Sequence, residues 1–383
     1  MHPNSLISHC VLLIPHSRLS PDPSLARIEW LDIVEARHSL WTHISSPKRE
    51  LIRSFLNTIN LEIVKRLRPT SSFNFQSASV GNLFLTGARL FTGSFESAIY
   101  LLGSITGVPA NVDVIPAINS NFSHHISAGL ADGTVITGQN SISHPSAPSA
   151  PVPAIPNPLI SISTSVTVLA EEDEESGDIV SPVTAHKRTL SKELHEHDHI
   201  EDANLPGSLP TLRKQYITFA KTHTEDLPSR IERIWYINPY GQEIRPSPNS
   251  KVLGSLAEAS TVIYSIGSLY TSLIPCLILR DVGTKLASFN VRYKILILNG
   301  SLDRETRAVG MQFNAKDFVA AIADACHSSR STGKGPGTMG GRKGVVDDRR
   351  GKAPEEMYST YITHLIHLQG EGTPHVDKLE LAR

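Results

Sequence analysis

Between Val262 and Pro275 the chain reads VIYSIGSLYTSLIP, and these residue types in this order could hold a phosphate. Thr261–Ile263 is β-branched and apolar and predicts a buried strand, Gly267-Ser268 predicts a turn, and Leu269-Tyr270-Thr271-Ser272 predicts a helix start. A helix start presents unbonded N–H groups and the positive end of the helix dipole, and hydroxyls add further donors. Glycine permits the turn and a close backbone approach. Similar chemistry recurs at Gly81/Asn82, at Ser94/Glu96, at Asn119/Asn121 and at Asn299. Together with Gly267, Ser268, Thr271 and Ser272, these are mostly uncharged hydrogen-bonding groups. They suit phosphate, ribose or sugar hydroxyls better than proton abstraction.

Two other stretches invite a chemical reading and fail it. His195, His197 and His199 alternate within LHEHDHIED, a polar tract that reads as solvated rather than as a closed ligand set. The run Gly333–Gly344, GKGPGTMGGRKG, lacks the spacing of a phosphate loop and follows no strand, so it reads as linker. Cys10, Cys276 and Cys326 have neither metal spacing nor an even count, and they point to a reducing, cytoplasmic setting.

The elements that must position the candidate groups follow from periodicity. Apolar residues at helical spacing predict helices across 24–66, with Trp30, Ile33 and Val34 in one series and Ile52, Phe55, Leu56, Ile59 and Ile63 in another. Helices are expected over Leu83–Phe91 and Phe95–Ile105, the second capped by Ser94 with Glu96 in its first turn. Strands are expected at Asn111–Ile118, Thr134–Ile136 after an Asp132-Gly133 turn, Ile234–Ile237, Leu277–Leu279, Tyr293–Leu298 and Tyr358–Leu368. Further helices are expected over Val252–Ala259 and Phe313–Ala325. Short strands alternating with helices predict an α/β, Rossmann-like three-layer sandwich with a mostly parallel sheet covered on both faces. Ligands of such sheets sit at the carboxyl ends of the strands.

Composition sets the limits. The chain has 383 residues, a formal net charge of −1 and 40% hydrophobic residues, enough for a sizeable core. The charge balance argues against a general nucleic-acid binder. No apolar run nears the about 18 residues of a membrane span, and the Cys10–Ile14 patch lacks the basic flank of a signal peptide. Residues 144–210, with six prolines in HPSAPSAPVPAIPNP followed by acidic tracts, predict a disordered insert. The expected organisation is one nucleotide-binding domain over 24–325 containing that insert, a Gly-rich basic insert over 326–356, and a strand and tail over 357–383.

Taken in order, SVGNLFLTG with GSFESAI, VIPAINSN, LADGTVITGQNSIS, INPYGQEIRPSP, YSIGSLYTSLIPCLIL and LILNGSLDRET resemble the CofD/YvcK-like family, of UPF0052 type, in its fungal-type branch. The resemblance covers most of residues 30–325. It implies a nucleotide site at the carboxyl edge of a Rossmann-like sheet. One branch transfers a 2-phospho-lactate group from a guanylyl-activated donor to a deazaflavin hydroxyl, with Mg²⁺. The other binds a UDP-sugar and regulates carbon metabolism and cell-wall growth. For the transferase, the resemblance implies phosphate contacts at Asn82, Ser268, Thr271 and Ser272, base or ribose contacts at Asn299, and Glu96 or Asp132 as metal ligand or base. The plainer roles of those two carboxylates are a helix first turn and a hairpin turn. The small-molecule partner is then a nucleotide or nucleotide-sugar, and a homodimer is left open.

The pattern also departs from the family. No glycine precedes Gly81, so the family's opening strand with its Gly-rich turn and acidic loop is not found. The usual Gly-Pro-Gly-Ser-Leu reads Ser265-Ile266-Gly267-Ser268-Leu269, and the usual Ala-Asp pair reads Ala259-Ser260. Three readings therefore stay open: transferase, UDP-sugar-binding regulator, and an inactive relative lacking its first βα unit.

Overall fold

The computed structural model describes residues 17–67, 72–120, 122, 124–144, 208, 209, 212, 225–265, 267–330 and 352–381. The predicted insert over 144–210, most of 326–356, the His195–His199 tract, the Gly333–Gly344 run and Asn121 lie outside or almost outside them.

The N-terminal part is helical. Helix α1 (Pro23–Val34) begins at Asp22, whose carboxylate accepts from the N–H groups of Ser24 and Leu25. Helix α2 spans Ser46–Arg66, α3 Val80–Thr92 and α4 Phe95–Thr106. Their apolar faces meet in one core containing Trp30, Phe55, Leu56, Phe84 and Ala98. The Trp30 indole stacks on Phe75 and donates to Asn60 Oδ1 at 2.9 Å, so its polar end is satisfied inside the packing. Gly87 lets α3 lie against α2: a Cβ there would come within 2.0 Å of the Phe55 carbonyl oxygen.

The second core, built from residues 126–362, is mixed α/β and carries two sheets. Strands β1 (His125–Leu130), β2 (Val135–Thr137), β3 (Ile231–Ile237) and β4 (Glu243–Ile244) form an antiparallel sheet in the order β2-β1-β3-β4. The β1–β2 turn is the one expected at Asp132-Gly133: Gly133 has φ +86°, and Asp132 Oδ1 accepts from Thr134 N–H. A short helix, α5 (Gln139–Ser143), follows β2. Helix α6 (Ser250–Glu258), capped by Asn249, leads into the parallel sheet. That sheet orders β5 (Thr261–Tyr264), β6 (Tyr293–Ile297) and β7 (His364–Ile366), with Ile263 opposite Ile295 and Ile295 opposite His364. After β5 come a π-helical turn, Leu269–Leu273, then α7 (Ile274–Leu277) and α8 (Val282–Leu286). Helix α9 (Ala315–Ser329) carries a capping box in which Asn314 and Asp317 bond each other's backbone N–H. Short helices α10 (Tyr358–Tyr361) and α11 (Lys378–Leu381) flank β7.

Several expectations are corrected. Asn111–Ile118 is extended but makes only an isolated bridge, Ile118 to Pro248. Pro116 has no N–H for a ladder, which limits that segment's pairing. Leu277–Leu279 closes a helix rather than forming a strand, and Tyr358–Leu368 starts as helix with its strand confined to His364–Ile366. Strand β5 is an edge strand and is not buried: Ile263 is 55% exposed, as are Tyr293 of β6 (52%) and Ile366 of β7 (54%). These three side chains lie on one face of the parallel sheet and are exposed among the described residues, within the mixed α/β architecture that the sequence predicts. No helix among the described residues is long and apolar enough to cross a membrane.

Candidate functional site

The parallel strands β5 and β6 end side by side, and their carboxyl ends carry Gly267 and Asn299. Asn299 Nδ2 donates to the Gly267 carbonyl oxygen at 3.3 Å and fastens the β6 end to the turn after β5. The turn is tight. Gly267 N–H donates to Ser265 O at 2.8 Å, and a Cβ on Gly267 would lie 2.8 Å from the Ser272 Cβ. Glycine is required by space, because Ser272 stands on a backbone held by its N–H bond to Ser268 O at 3.0 Å. Ser268 O also accepts from Leu273 N–H at 3.2 Å, the wider repeat of a π-turn. Ser268 caps this turn through its backbone, and its hydroxyl makes no capping bond. Ser272 is exposed beside it. The structure therefore brings Gly267, Ser268, Thr271, Ser272 and Asn299 together at the carboxyl edge of the parallel sheet.

Thr271 faces inward. It is 8% exposed, and its hydroxyl donates to Glu305 Oε1 at 2.5 Å. Glu305 is 3% exposed. Its Oε2 accepts from the N–H groups of Tyr270 (2.9 Å) and Thr271 (3.0 Å), and Oε1 also accepts from the Ser143 hydroxyl at 2.6 Å. Burial pushes the Glu305 carboxyl above the usual range, opposed by the hydrogen bonds from Ser143 and Thr271. The N–H pair that the sequence marks for phosphate is thus occupied by the chain's own carboxylate. Sequence reasoning missed Glu305 and Ser143, because nothing in LDRET or QNSIS sets these residues apart from other polar loop residues.

The other candidates sit elsewhere. Gly81 and Asn82 lie in the first turn of α3, where Asn82 N–H donates to the Ser79 hydroxyl at 3.3 Å. Ser94 caps α4 as expected and accepts from Ser97 N–H. Glu96, in the first turn of that helix, accepts from Lys251 Nζ at 2.6 Å and from the Tyr100 hydroxyl. The Lys251 bond, then the Tyr100 bond, holds its carboxyl below the usual range, so Glu96 is an ionised partner of a lysine rather than a proton donor. Asn119 is exposed in the extended segment before β1, and Asp132 is an exposed turn residue.

Among the described residues no three His, Cys, Asp or Glu side chains gather where they could hold a metal. At the sheet edge, Glu305 is saturated by four donors, and Asp303 caps the turn Arg304–Thr306. These carboxylates do not fit a Mg²⁺ ligand set.

A family model described as 2-phospho-L-lactate transferase CofD matches residues 42–368. An uncharacterized protein of Saccharomyces cerevisiae is 40% identical over 291 residues, which are 75% of this chain and 62% of that protein. The chain thus spans less than two thirds of that relative's length. Among solved structures, a UPF0052-family protein from Bacillus halodurans aligns with a TM-score of 0.38 and 18% identity, over 73% of this chain and 61% of the other. A second crystal structure of a protein from the same organism aligns with a TM-score of 0.38 and 16% identity, over 84% and 73% of the two chains.

Proposed function

This chain belongs to the 2-phospho-L-lactate transferase CofD family, and from that premise we propose that it binds a guanine nucleotide at Gly267–Ser272 and Asn299 and transfers a phospho-lactyl-type group to an acceptor hydroxyl. The observation that supports this reading is the placement of the turn. Gly267, Ser268, Ser272 and Asn299 cluster where two parallel strands end, the ligand edge of α/β sheets. Ser268 and Ser272 offer hydroxyl donors to phosphate oxygens, and Gly267 allows the diphosphate close to the backbone. Asn299 uses Nδ2 on the turn, which leaves Oδ1 to accept from a base N–H or a ribose hydroxyl.

In the proposed reaction the acceptor oxygen attacks the lactyl-bearing phosphorus. The P–O–P bond to the guanylyl group breaks, guanylate leaves with the electron pair, and the hydroxyl proton passes to water. The chain's contribution is orientation and fixed donors around the developing charge. No step is assigned to Glu96 or Asp132. Mg²⁺ enters only as one arm of the test.

The test is a thermal-shift panel on the purified chain with GDP, GTP, UDP and UDP-N-acetylglucosamine, with and without Mg²⁺. A ligand bound only by the folded state adds about 2.7 kcal/mol at a hundredfold excess over Kd. A shift with the guanine nucleotides supports the proposal. A shift with the UDP-sugar alone replaces it with a sugar-nucleotide binder, and a folded sample with no shift sinks it.

A further inference from the structure

We propose that Glu305 is a positioning residue for the nucleotide site: an internal acceptor that holds the turn after Ser268, so that an incoming phosphate meets Gly267, Ser268 and Ser272 instead of the Tyr270 and Thr271 N–H groups. This rests on the nucleotide reading above and adds how that site is held and where phosphate sits in it.

The geometry carries the argument. Three segments distant in sequence converge on one carboxylate: α5 through Ser143, the π-turn through Tyr270 and Thr271, and the Arg304–Thr306 turn that bears Glu305. The Ser143 and Thr271 hydroxyl oxygens lie 3.1 Å apart, so their two O–H donors converge on the same carboxylate oxygen. Glu305 is itself fixed, because Asp303 Oδ1 accepts from Thr306 N–H (3.1 Å) and Thr306 Oγ1 accepts from Asp303 N–H (3.0 Å). The segment carrying Glu305 also carries Asn299, six residues earlier. One loop therefore grips the turn twice, at the Gly267 carbonyl and at the Tyr270–Thr271 N–H pair. With those N–H groups already bonded to Glu305, phosphate is left the outer side of the turn, where Ser272 is exposed.

The experiment compares wild type, Glu305→Ala and Glu305→Gln in the full chain, titrated with GDP and with guanosine and checked by thermal melting. Glu305→Ala removes all four acceptor bonds, and we expect it to weaken GDP at least about tenfold and guanosine less than about threefold. Glu305→Gln keeps one acceptor oxygen for the N–H pair and is expected to restore GDP binding to within about threefold of wild type. A general loss of structure would instead weaken both ligands, without rescue. GDP binding unchanged in Glu305→Ala, or GDP and guanosine lost alike, overturns the proposal. Should Glu305→Ala fail to fold, Thr271→Val decides, since it deletes one donor and keeps the shape. Weaker GDP binding with unchanged guanosine supports the brace, and no change overturns it. A wild-type chain that binds neither ligand removes the nucleotide reading itself, and this inference with it.

Discussion

Gly267 and Glu305 hold the same turn by different means, one by having no side chain and the other by filling the space behind it. Gly267→Ala forces its Cβ against Ser272, whose position is fixed by the helical backbone. The expected result is nucleotide affinity lowered about fivefold or more together with a loss of about 1–3 kcal/mol of stability, read by calorimetric titration beside a melt. Equal affinity would mean that Ser272 is not part of the phosphate contact. Glu305 gives a separate signature in pH. Its carboxyl is raised in the folded chain by burial, so its contribution to stability is complete below the unfolded value and is lost as pH rises through the folded one. Glutamine does not titrate. The stability of Glu305→Gln relative to wild type should therefore climb as pH rises from about 4 and level off above the folded value. A difference that is flat with pH, or that falls, contradicts the assignment of a desolvated carboxylate.

Helix packing can be tested on glycines that sit where two backbones touch. Gly87 of α3 faces the Phe55 carbonyl, and Gly283 of α8 faces the Cys326 carbonyl, where a Cβ would come within 1.8 Å. Neither neighbour is a side chain that can rotate away. Gly87→Ala should destabilise by about 1–3 kcal/mol in urea unfolding, despite alanine's better helix propensity. A stabilised variant would show that propensity wins and that the helices are free to separate. At this scale the sequence was readable wherever a local signal was strong. The α1–α4 series, the Ser94 cap, the Asp132-Gly133 turn and the β5-turn-helix unit follow from periodicity and turn chemistry. Strand β1 was missed because HISAGL is short and its hairpin partner β2 is weakly apolar. Leu277–Leu279 was misread because an apolar triplet carries no period, so only its tertiary contacts make it helical. The site was legible as a turn with nearby amide and hydroxyl residues. Glu305 was not, because which carboxylate reaches an N–H pair across 34 residues of chain is decided by the fold alone.

At the scale of the molecule, the described residues divide between two cores, one from 19–105 and the other from 126–362. Between them runs the 107–120 segment, and a polar contact joins them: Lys251 at the start of α6 meets Glu96 and Tyr100 of α4. Lys251 also lies over the Tyr100 ring, 5.2 Å from its centroid. Such an exposed pair is screened by salt and holds two bodies together weakly. Native-state hydrogen exchange should therefore give different opening free energies for the buried amides of α2 and of α9. A single shared value for both would mean that the cores unfold as one unit.

The exposed side chains on one face of the parallel sheet have a practical side for anyone handling the protein. Ile263, Tyr293 and Ile366 present apolar surface, and among the described residues β5 is the edge strand of its sheet. A formal net charge of −1 supplies almost no long-range repulsion between molecules near neutrality. Concentrated stocks should turn turbid near pH 7 and clear as the buffer moves well to either side, where added charge of one sign keeps the molecules apart. Light scattering across that pH range would measure it, and storage buffers should be chosen accordingly.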